Sequence, residues 1–175
     1  MACNLTTGRI VPCKSAVGGI KRVFFADYGT LGSYSISDGE ITNFTGSPVW
    51  MQYDVKGASS LETAINSSRE NGTTFYESTL TMVLTFQDKA TQEELKIMAH
   101  ARPHIAVEDY NGNFFVIGLE NGAEVTGGTI STGAAMADAS GYNLTIVAQE
   151  TAPPYFAAAE VITDDVGNNQ INPTA

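Results

Sequence analysis

The chain has 175 residues, of which 43% are hydrophobic and only 16% charged, and its 19 acidic against 9 basic residues give a formal net charge of -10. This length fits one domain, and the negative charge argues against a surface that follows nucleic-acid phosphates. No stretch has the roughly 20 apolar residues of a membrane span, and the N-terminus lacks a signal-peptide pattern, so we expect a soluble, unprocessed protein.

Two cysteines, Cys3 and Cys13, lie near the N-terminus, which is too few for a disulfide-stapled fold, so we expect reduced thiols. A zinc site that joins them to His100 and His104 is disfavoured, because the Cys-x9-Cys spacing is much wider than that of a zinc knuckle. We therefore predict no metal site and no cofactor, and we interpret both histidines as structural.

Short runs of β-branched and aromatic residues, separated by Gly, Asn, Asp and Pro, predict a mainly β fold. In chain order, strands are predicted at 20–27, 40–45, 49–55, 59–68, 73–86, 104–109, 113–118, 123–131 and 142–150.

One helix is predicted in the gap between residues 86 and 104. The segment TQEEL offers Thr91 as N-cap and Glu94 three residues later, which is a capping box, and Pro103 ends the pattern. The residues on its apolar face are Leu95, Met98 and Ala99. A helix this short is stable only against an apolar surface, so we expect it to cover an end of the sheet.

Three Asn-Gly pairs, at 71–72, 111–112 and 121–122, predict type I′ hairpin turns, because this turn needs positive φ at both central residues. A two-residue loop at 71–72 places Glu62 opposite Thr81 and Asn66 opposite Glu77. The polar face of this ribbon then carries Glu62, Ala64, Asn66, Glu77, Thr79 and Thr81, and the other face carries Leu61, Thr63, Ile65, Ser78, Leu80 and Met82. A slip of one residue would destroy this separation, so the pattern supports a long hairpin.

The same rule at 111–112 pairs Val107 with Val116 and Ala106 with Ile117, so this ribbon is apolar on both faces. Both faces of such a ribbon are expected to be buried, one in the core of its own domain and the other against a second surface. The pair at 121–122 is expected to return the chain into a three-stranded meander from residue 104 to about 130. The glycines form corners between strands, because a phosphate-binding loop would instead open a helix.

No catalytic motif stands out, and we predict that the chain is not an enzyme. Cys13 with His100 or His104 as base stays open as an alternative, because catalytic groups are assembled in space. The segment DDVGNNQIN lacks the alternating acids and closing Glu of a calcium loop.

The ribbon over residues 58–86 is far longer than a typical strand pair. A long uncovered edge would be an aggregation hazard in a monomer. Pairing with copies of the same chain in a closed ring is an economical solution. A symmetric assembly is therefore the interpretation that the residues favour.

Three stretches resemble virion proteins of tailed bacteriophages, in particular the tail-tube or major tail protein family. They are CNLTTGRIVPCKSAVGGIKRVFF, SSRENGTTFYESTLTM and VEDYNGNFFVIGLENGAEVTGGTISTGAAMADASGYNLTI, and the resemblance covers roughly residues 3–156. It implies a tail-tube-like β-sandwich or barrel with one flanking α-helix and a long extended β-hairpin.

The resemblance further implies hexameric rings that stack into a tube in the virion tail, after assembly in the host cytoplasm. Four strands from each of six subunits would give a 24-stranded barrel about 46 Å across, through which DNA passes without specific binding. Candidate lumen-facing residues are Glu62, Asn66, Glu77, Thr79 and Thr81. Candidate inter-subunit or inter-ring contacts are Arg69, Glu70, Asn71, Gly72, Val107 and Val116.

The domain boundaries expected from this comparison are an N-terminal arm at 1–19, the β domain at 20–156 and a C-terminal tail at 157–175. The partners implied are further copies of the chain and other phage tail or connector proteins, and no membrane. Two alternatives remain open. One is a terminator or connector that forms a single ring, and the other is a monomeric ligand-binding β-sandwich in which Trp50 and Tyr53 line a groove.

Overall fold

A computed structural model describes residues 7–10, 14–55, 57–164 and 166–167. The strands described are β1 (Ile20–Ala26), β2 (Tyr34–Ser37), β3 (Glu40–Phe44), β4 (Met51–Asp54), β5 (Ser60–Ser68), β6 (Thr73–Thr85), β7 (His104–Asp109), β8 (Phe114–Ile117), β9 (Glu124–Ser131), β10 (Gly141–Glu150) and β11 (Tyr155–Ala157). The helices described are α1 (Lys89–Met98) and α2 (Ala159–Thr163). The prediction of a mainly β fold is confirmed.

The strands form two sheets. Seven lie in the order β2-β3-β11-β8-β7-β1-β4, and four lie in the order β5-β6-β10-β9. All of these neighbours are antiparallel except β11 and β3, which are parallel. Burial alternates along β6 and β10, so one face of the four-stranded sheet packs inward and the other faces solvent.

The first core lies between the two sheets. Its buried side chains include Val23, Phe25, Leu80, Met82, Ile105, Val107, Ile117, Tyr142, Leu144 and Ile146. Helix α1 adds Leu95 and Met98 to this core, which confirms that its apolar face packs against the sheets. The Tyr142 hydroxyl donates a hydrogen bond to the Asp88 carbonyl at 3.2 Å, which ties the start of α1 to β10.

The second core lies on the far face of the seven-stranded sheet, which curls around it. Strands β3 and β4 are five neighbours apart in this sheet, or about 24 Å if it were flat. The ring of Phe44 in β3 nevertheless lies 6.2 Å from the ring of Trp50, which directly precedes β4. The sheet therefore bends towards closure, and Ile162 of α2 is buried in the same core.

The cap of α1 differs from the predicted one. Asp88, not Thr91, is the N-cap, and its carboxylate accepts a hydrogen bond from the Thr91 amide at 3.1 Å. Thr91 lies inside the helix and is buried. Because Asp and Thr are both good N-caps, the capping-box spacing selected the wrong one of two eligible residues. Ala99 was predicted on the apolar face, but it is the C-cap and is exposed.

The hairpin of β5 and β6 is confirmed, but its register differs by two residues. The loop is Arg69–Gly72, so Ser68 lies opposite Thr73, and Glu62 lies opposite Thr79 rather than Thr81. Only Gly72 has positive φ in this loop, which rules out the type I′ turn. A two-residue shift keeps each side chain on its predicted face, so the polar and apolar faces are correct although the pairs are not.

The hairpin of β7 and β8 is shifted by one residue from its predicted register. Val107 lies opposite Phe115, and Val116 lies opposite Ala106. The Asp109 amide donates a hydrogen bond to the Asn113 carbonyl at 3.0 Å, which leaves a loop of three residues. Gly112 alone in this loop has positive φ, as expected for a type I turn that ends in a left-handed glycine. Apolar residues fill both faces of this ribbon, so side-chain pattern could not distinguish the two registers.

The predicted meander is wrong at its third strand. After the turn at 121–122 the chain crosses to the other sheet, where β9 pairs with β10 and not with β8. A turn that meets the type I′ requirement is found at Asp38-Gly39, where φ is 54° and 82° and the loop joins β2 to β3.

The predicted C-terminal boundary divides an element of the core. Strand β11 spans residues 155–157 and lies between β3 and β8, and the side chain of Ile162 is fully buried. Residues 157–163, which were expected to belong to a tail, are therefore part of the β domain. Within the expected N-terminal arm, the described residues 7–10 and 14–19 are exposed.

Candidate assembly surface

The five candidate lumen residues lie together on the solvent-facing side of the four-stranded sheet, which we call the outer face. Glu62 and Asn66 come from β5, and Glu77, Thr79 and Thr81 come from β6. Strands β10 and β9 continue the same surface with Asn143, Thr145, Gln149 and Thr129. Alternation of polar and apolar residues in 142–149 could have revealed the β10 part of this face, which the sequence analysis missed.

The outer face is acidic. Strands β5, β6, β9 and β10 contain no lysine or arginine, whereas Glu62, Glu77 and Glu124 lie on this face. Gln149 donates a hydrogen bond from Nε2 to Glu77 Oε2 at 2.6 Å, which leaves the negative charge of this carboxylate in place. The remaining side chains of this face are uncharged and mostly small, so this surface has one sign of charge.

Both edges of the four-stranded sheet are open in the described part of the chain. Strand β5 pairs only with β6, and β9 pairs only with β10. These edges are nine and eight residues long and mostly exposed. A long edge presents unpaired backbone N–H and C=O groups, so each is a template for another strand.

The far half of the hairpin extends beyond the core. Pairing of β6 with β10 ends at Tyr76, so among the strands that the structure describes, residues 73–75 pair only with β5. Ile65 is 69% exposed and Phe75 is 39% exposed, on opposite faces of the ribbon. The candidate contact residues Arg69, Glu70, Asn71 and Gly72 form the exposed loop at its tip. The hairpin therefore carries apolar side chains that its own fold leaves uncovered.

Val107 and Val116, predicted as contacts between subunits, are buried inside this chain. Their exposed fractions are 1% and 0%. The one-residue shift of the hairpin places them on opposite faces, so Val107 lies in the first core and Val116 in the second. The prediction that this ribbon is buried on both faces is correct. The second face is buried within this chain, in the second core that the curled sheet encloses, and not against another subunit.

The proposed groove of Trp50 and Tyr53 does not form. Trp50 is fully buried in the second core, whereas Tyr53 packs its ring edge on Phe25 at the first core, with 5.1 Å between the centroids. Burial raises the pKa of Tyr53 to about 12. A cavity of about 430 Å³ instead opens between the sheets near the base of the hairpin, lined partly by Val17, Leu61, Val107 and Phe115.

His104 joins two loops inside the fold. Its ring is 2% exposed, Nε2 accepts a hydrogen bond from the Gly29 amide at 2.9 Å, and Nδ1 donates one to the Gly118 carbonyl at 2.5 Å. Tyr28 stacks on the ring at 5.2 Å and is itself covered by the Arg102 guanidinium at 4.5 Å. These contacts require the neutral imidazole, which agrees with a structural role. Burial lowers the pKa of His104, although the hydrogen bond with Gly118 opposes this shift.

We expect the stability of the protein to fall as the pH decreases below about 6.5, the usual pKa of histidine. Because the pKa of His104 is lowered in the folded state, the unfolded chain binds more protons in this range, and one such group gives a slope of up to about 1.4 kcal/mol per pH unit. Urea unfolding of the wild type and of His104→Asn across this range measures the slope. The variant should have a smaller slope, and equal slopes would contradict the prediction.

Glu108 is a buried carboxylate with two cationic partners. It is 4% exposed, accepts a hydrogen bond from Lys21 Nζ at 2.9 Å, and contacts Arg22 Nε. Although burial opposes the shift, the hydrogen bonds from Arg22 and Lys21 lower the pKa of Glu108. The ion pairs fasten β1 to β7, and we assign them a structural role.

Among the described residues, no group of three or more His, Cys, Asp or Glu side chains could hold a metal ion. Cys3 and Cys13 lie outside the described ranges, so the alternative of a cysteine nucleophile concerns residues that the structure does not describe. Neither α1 nor α2 is long and apolar enough to cross a membrane. A scan against protein-family models, a search of curated proteins and a search of solved structures each found no match.

Proposed function

We propose that the chain is a structural virion protein of a phage tail, which forms stacked hexameric rings of a tail tube and provides a conduit for DNA. The observation that carries this proposal is a four-stranded sheet whose two edge strands have no further partner among the described residues, and whose acidic outer face is formed by strands without lysine or arginine. Its partners are further copies of the chain and the neighbouring tail or connector proteins.

Edge pairing is the step that would build a ring. Strand β9 of one subunit would pair with β5 of the next, which satisfies the open backbone groups of both edges. Six copies of a four-stranded sheet would close into a 24-stranded barrel about 46 Å across. Such a closed barrel has no remaining edge in the ring.

The outer face would line the lumen. A lumen that carries acids and lacks basic side chains repels phosphates, so DNA would pass without being held. The projecting hairpin, with exposed Ile65 and the loop at 69–72, would contact a neighbouring subunit or the next ring. Burial of exposed apolar side chains favours such contacts.

The test is negative-stain electron microscopy of the purified protein across a concentration series, with mass from light scattering on the same samples. Stacked hollow tubes would support the proposal. Rings that never stack would favour the second candidate, a terminator or connector. Compact particles of monomer mass at every concentration would overturn the proposal of an assembly. They would favour a monomeric ligand-binding protein, with the 430 Å³ cavity as its ligand site.

Charge reversal on the outer face is expected to make tubes bind DNA. Glu62→Lys combined with Glu77→Lys adds four positive charge units per subunit to the proposed lumen, and basic groups attract phosphates with strong salt dependence. We expect fluorescence anisotropy to detect salt-sensitive retention of duplex DNA by the variant tubes.

The matched control is Glu93→Lys with Glu160→Lys, which makes the same charge change at exposed positions on the two helices. If both double variants retain DNA equally, or if neither does, the outer face is not the lumen.

A further inference from the structure

Asparagine followed by glycine is chemically labile. The backbone nitrogen of the glycine can attack the asparagine side-chain amide, and glycine has no Cβ to hinder this approach. Attack requires a side chain that is free to rotate and an N–H group that is free of other partners. The chain contains three such pairs, and the structure places them in very different environments.

Asn111 is held on both sides of its amide. Its Oδ1 accepts a hydrogen bond from the Val17 amide at 2.9 Å, and its Nδ2 donates to the Val17 carbonyl at 2.8 Å and to Asp109 Oδ2 at 3.2 Å. The attacking group is held as well, because the Gly112 N–H donates to the Asp109 carbonyl at 3.2 Å. Rotation of this side chain would break three hydrogen bonds.

Asn121 is also fixed, by a different contact. Its Nδ2 donates a hydrogen bond to the Gln149 carbonyl at 2.9 Å. The following Gly122 is buried, and a Cβ placed on it would lie 2.6 Å from the Arg102 carbonyl oxygen. This tight packing leaves the backbone little freedom to reach the geometry of attack.

Asn71 differs from both, because neither its side chain nor the glycine that follows it is held in place. It lies in the exposed loop at the tip of the hairpin, and its side chain makes no hydrogen bond with any residue that the structure describes. The Gly72 N–H likewise has no hydrogen-bond partner within the described ranges, and the space where a Cβ would lie is open to 4 Å. Its φ of +63° is the left-handed conformation that glycine adopts without strain.

We propose that Asn71 is a site of spontaneous deamidation in the folded protein. The Gly72 nitrogen bonds to Asn71 Cγ, the bond from Cγ to the side-chain nitrogen breaks, and the leaving nitrogen departs as ammonia with the proton lost from Gly72. Water then opens the cyclic imide at either carbonyl, so the products are aspartate and isoaspartate. The net reaction consumes one water and releases one ammonia.

The modification changes the chemistry of the hairpin tip. Arg69 and Glu70 balance each other in charge, so the unmodified loop is neutral and the product carries one net negative charge. The isoaspartate product also inserts a methylene group into the backbone of a four-residue loop. The reaction itself does not depend on the proposed tail-tube function.

The test is peptide mapping by mass spectrometry of the intact, folded chain during incubation in mildly alkaline buffer, with isoaspartate detected by enzymatic methylation. We expect Asn71 to convert at least about tenfold faster than Asn111 or Asn121, because attack at the two held pairs must wait for local opening. In denaturant the three rates should converge, since each pair then has the same local sequence chemistry.

Two results would overturn the proposal. One is conversion of Asn111 or Asn121 in the folded chain at a rate equal to that of Asn71. The other is absence of conversion at Asn71 in the folded chain, whether or not the denatured chain reacts.

Discussion

Replacement of Gly141 by alanine is expected to destabilise the fold by about 3 kcal/mol or more. A Cβ at this position would lie 2.0 Å from the carbonyl oxygen of Leu84 and 3.0 Å from its carbonyl carbon. Both atoms belong to the backbone of β6 near its C-terminal end, where this strand pairs with the start of β10, so they cannot move without disturbing that pairing. The measurement is the urea midpoint and slope of purified Gly141→Ala against the wild type.

The matched control is Gly127→Ala in β9 of the same sheet. A Cβ there meets nothing within 4 Å, so we expect a change within about 0.5 kcal/mol. Equal effects of the two substitutions would contradict the steric argument, because both residues are strand glycines opposite a threonine.

The substitution Ile65→Glu is expected to abolish tube assembly under the proposed function and to leave the subunit folded. Ile65 is 69% exposed on the projecting half of the hairpin, so its own fold loses little, about 0.5 kcal/mol at most. In an assembly, the same side chain would be buried against a neighbour, where an unpaired carboxylate is strongly unfavourable. Light scattering and electron microscopy measure assembly, and urea unfolding measures the fold.

Ile36→Glu is the control for a general effect of added charge. Ile36 is 44% exposed in β2, at an edge of the other sheet. This variant should still form tubes. If the Ile65→Glu variant still assembles, or if both variants lose assembly equally, the assignment of the hairpin to the subunit contact is contradicted.

Local pattern was sufficient to predict most of the elements. Strands with strong alternation or long apolar runs, such as β6 and β7, lie where the sequence indicated. Two short strands were missed: β2 has only four residues, and β11 has three directly after Pro153 and Pro154. Pairing with distant strands, rather than their own residues, makes such segments extended.

Register was predictable only where one face differs from the other. The polar face of β5 and β6 survived an error of two residues in the loop, because such a shift preserves side-chain direction. In β7 and β8 both faces are apolar, so an error of one residue passed unnoticed and misassigned Val107 and Val116 to a subunit contact. Both register errors arose because the predicted number of loop residues was wrong, and this number depends on backbone conformation as well as on sequence.

The candidate surface was only partly predictable for a similar reason. Alternating residues identified Glu62, Asn66, Glu77, Thr79 and Thr81 as members of one face. Alternation within 142–149 indicates a polar face on β10, but the position of that face beside β6 and the open edge of β9 depend on a crossing between sheets after residue 122, which no local pattern encodes. The curled shape that buries Trp50 likewise results from contacts between distant strands.

The position of β11 has a consequence for the order of folding. Strand β11 is inserted between β3 and β8, so a strand from the early part of the chain acquires its parallel neighbour only from residues 156–157. During synthesis, β3 can pair with β2 but must wait until residues 156–157 have left the ribosome before its second edge is covered. Contacts of such long sequence separation slow folding. We expect refolding to be slow, with completion of the seven-stranded sheet as its late step.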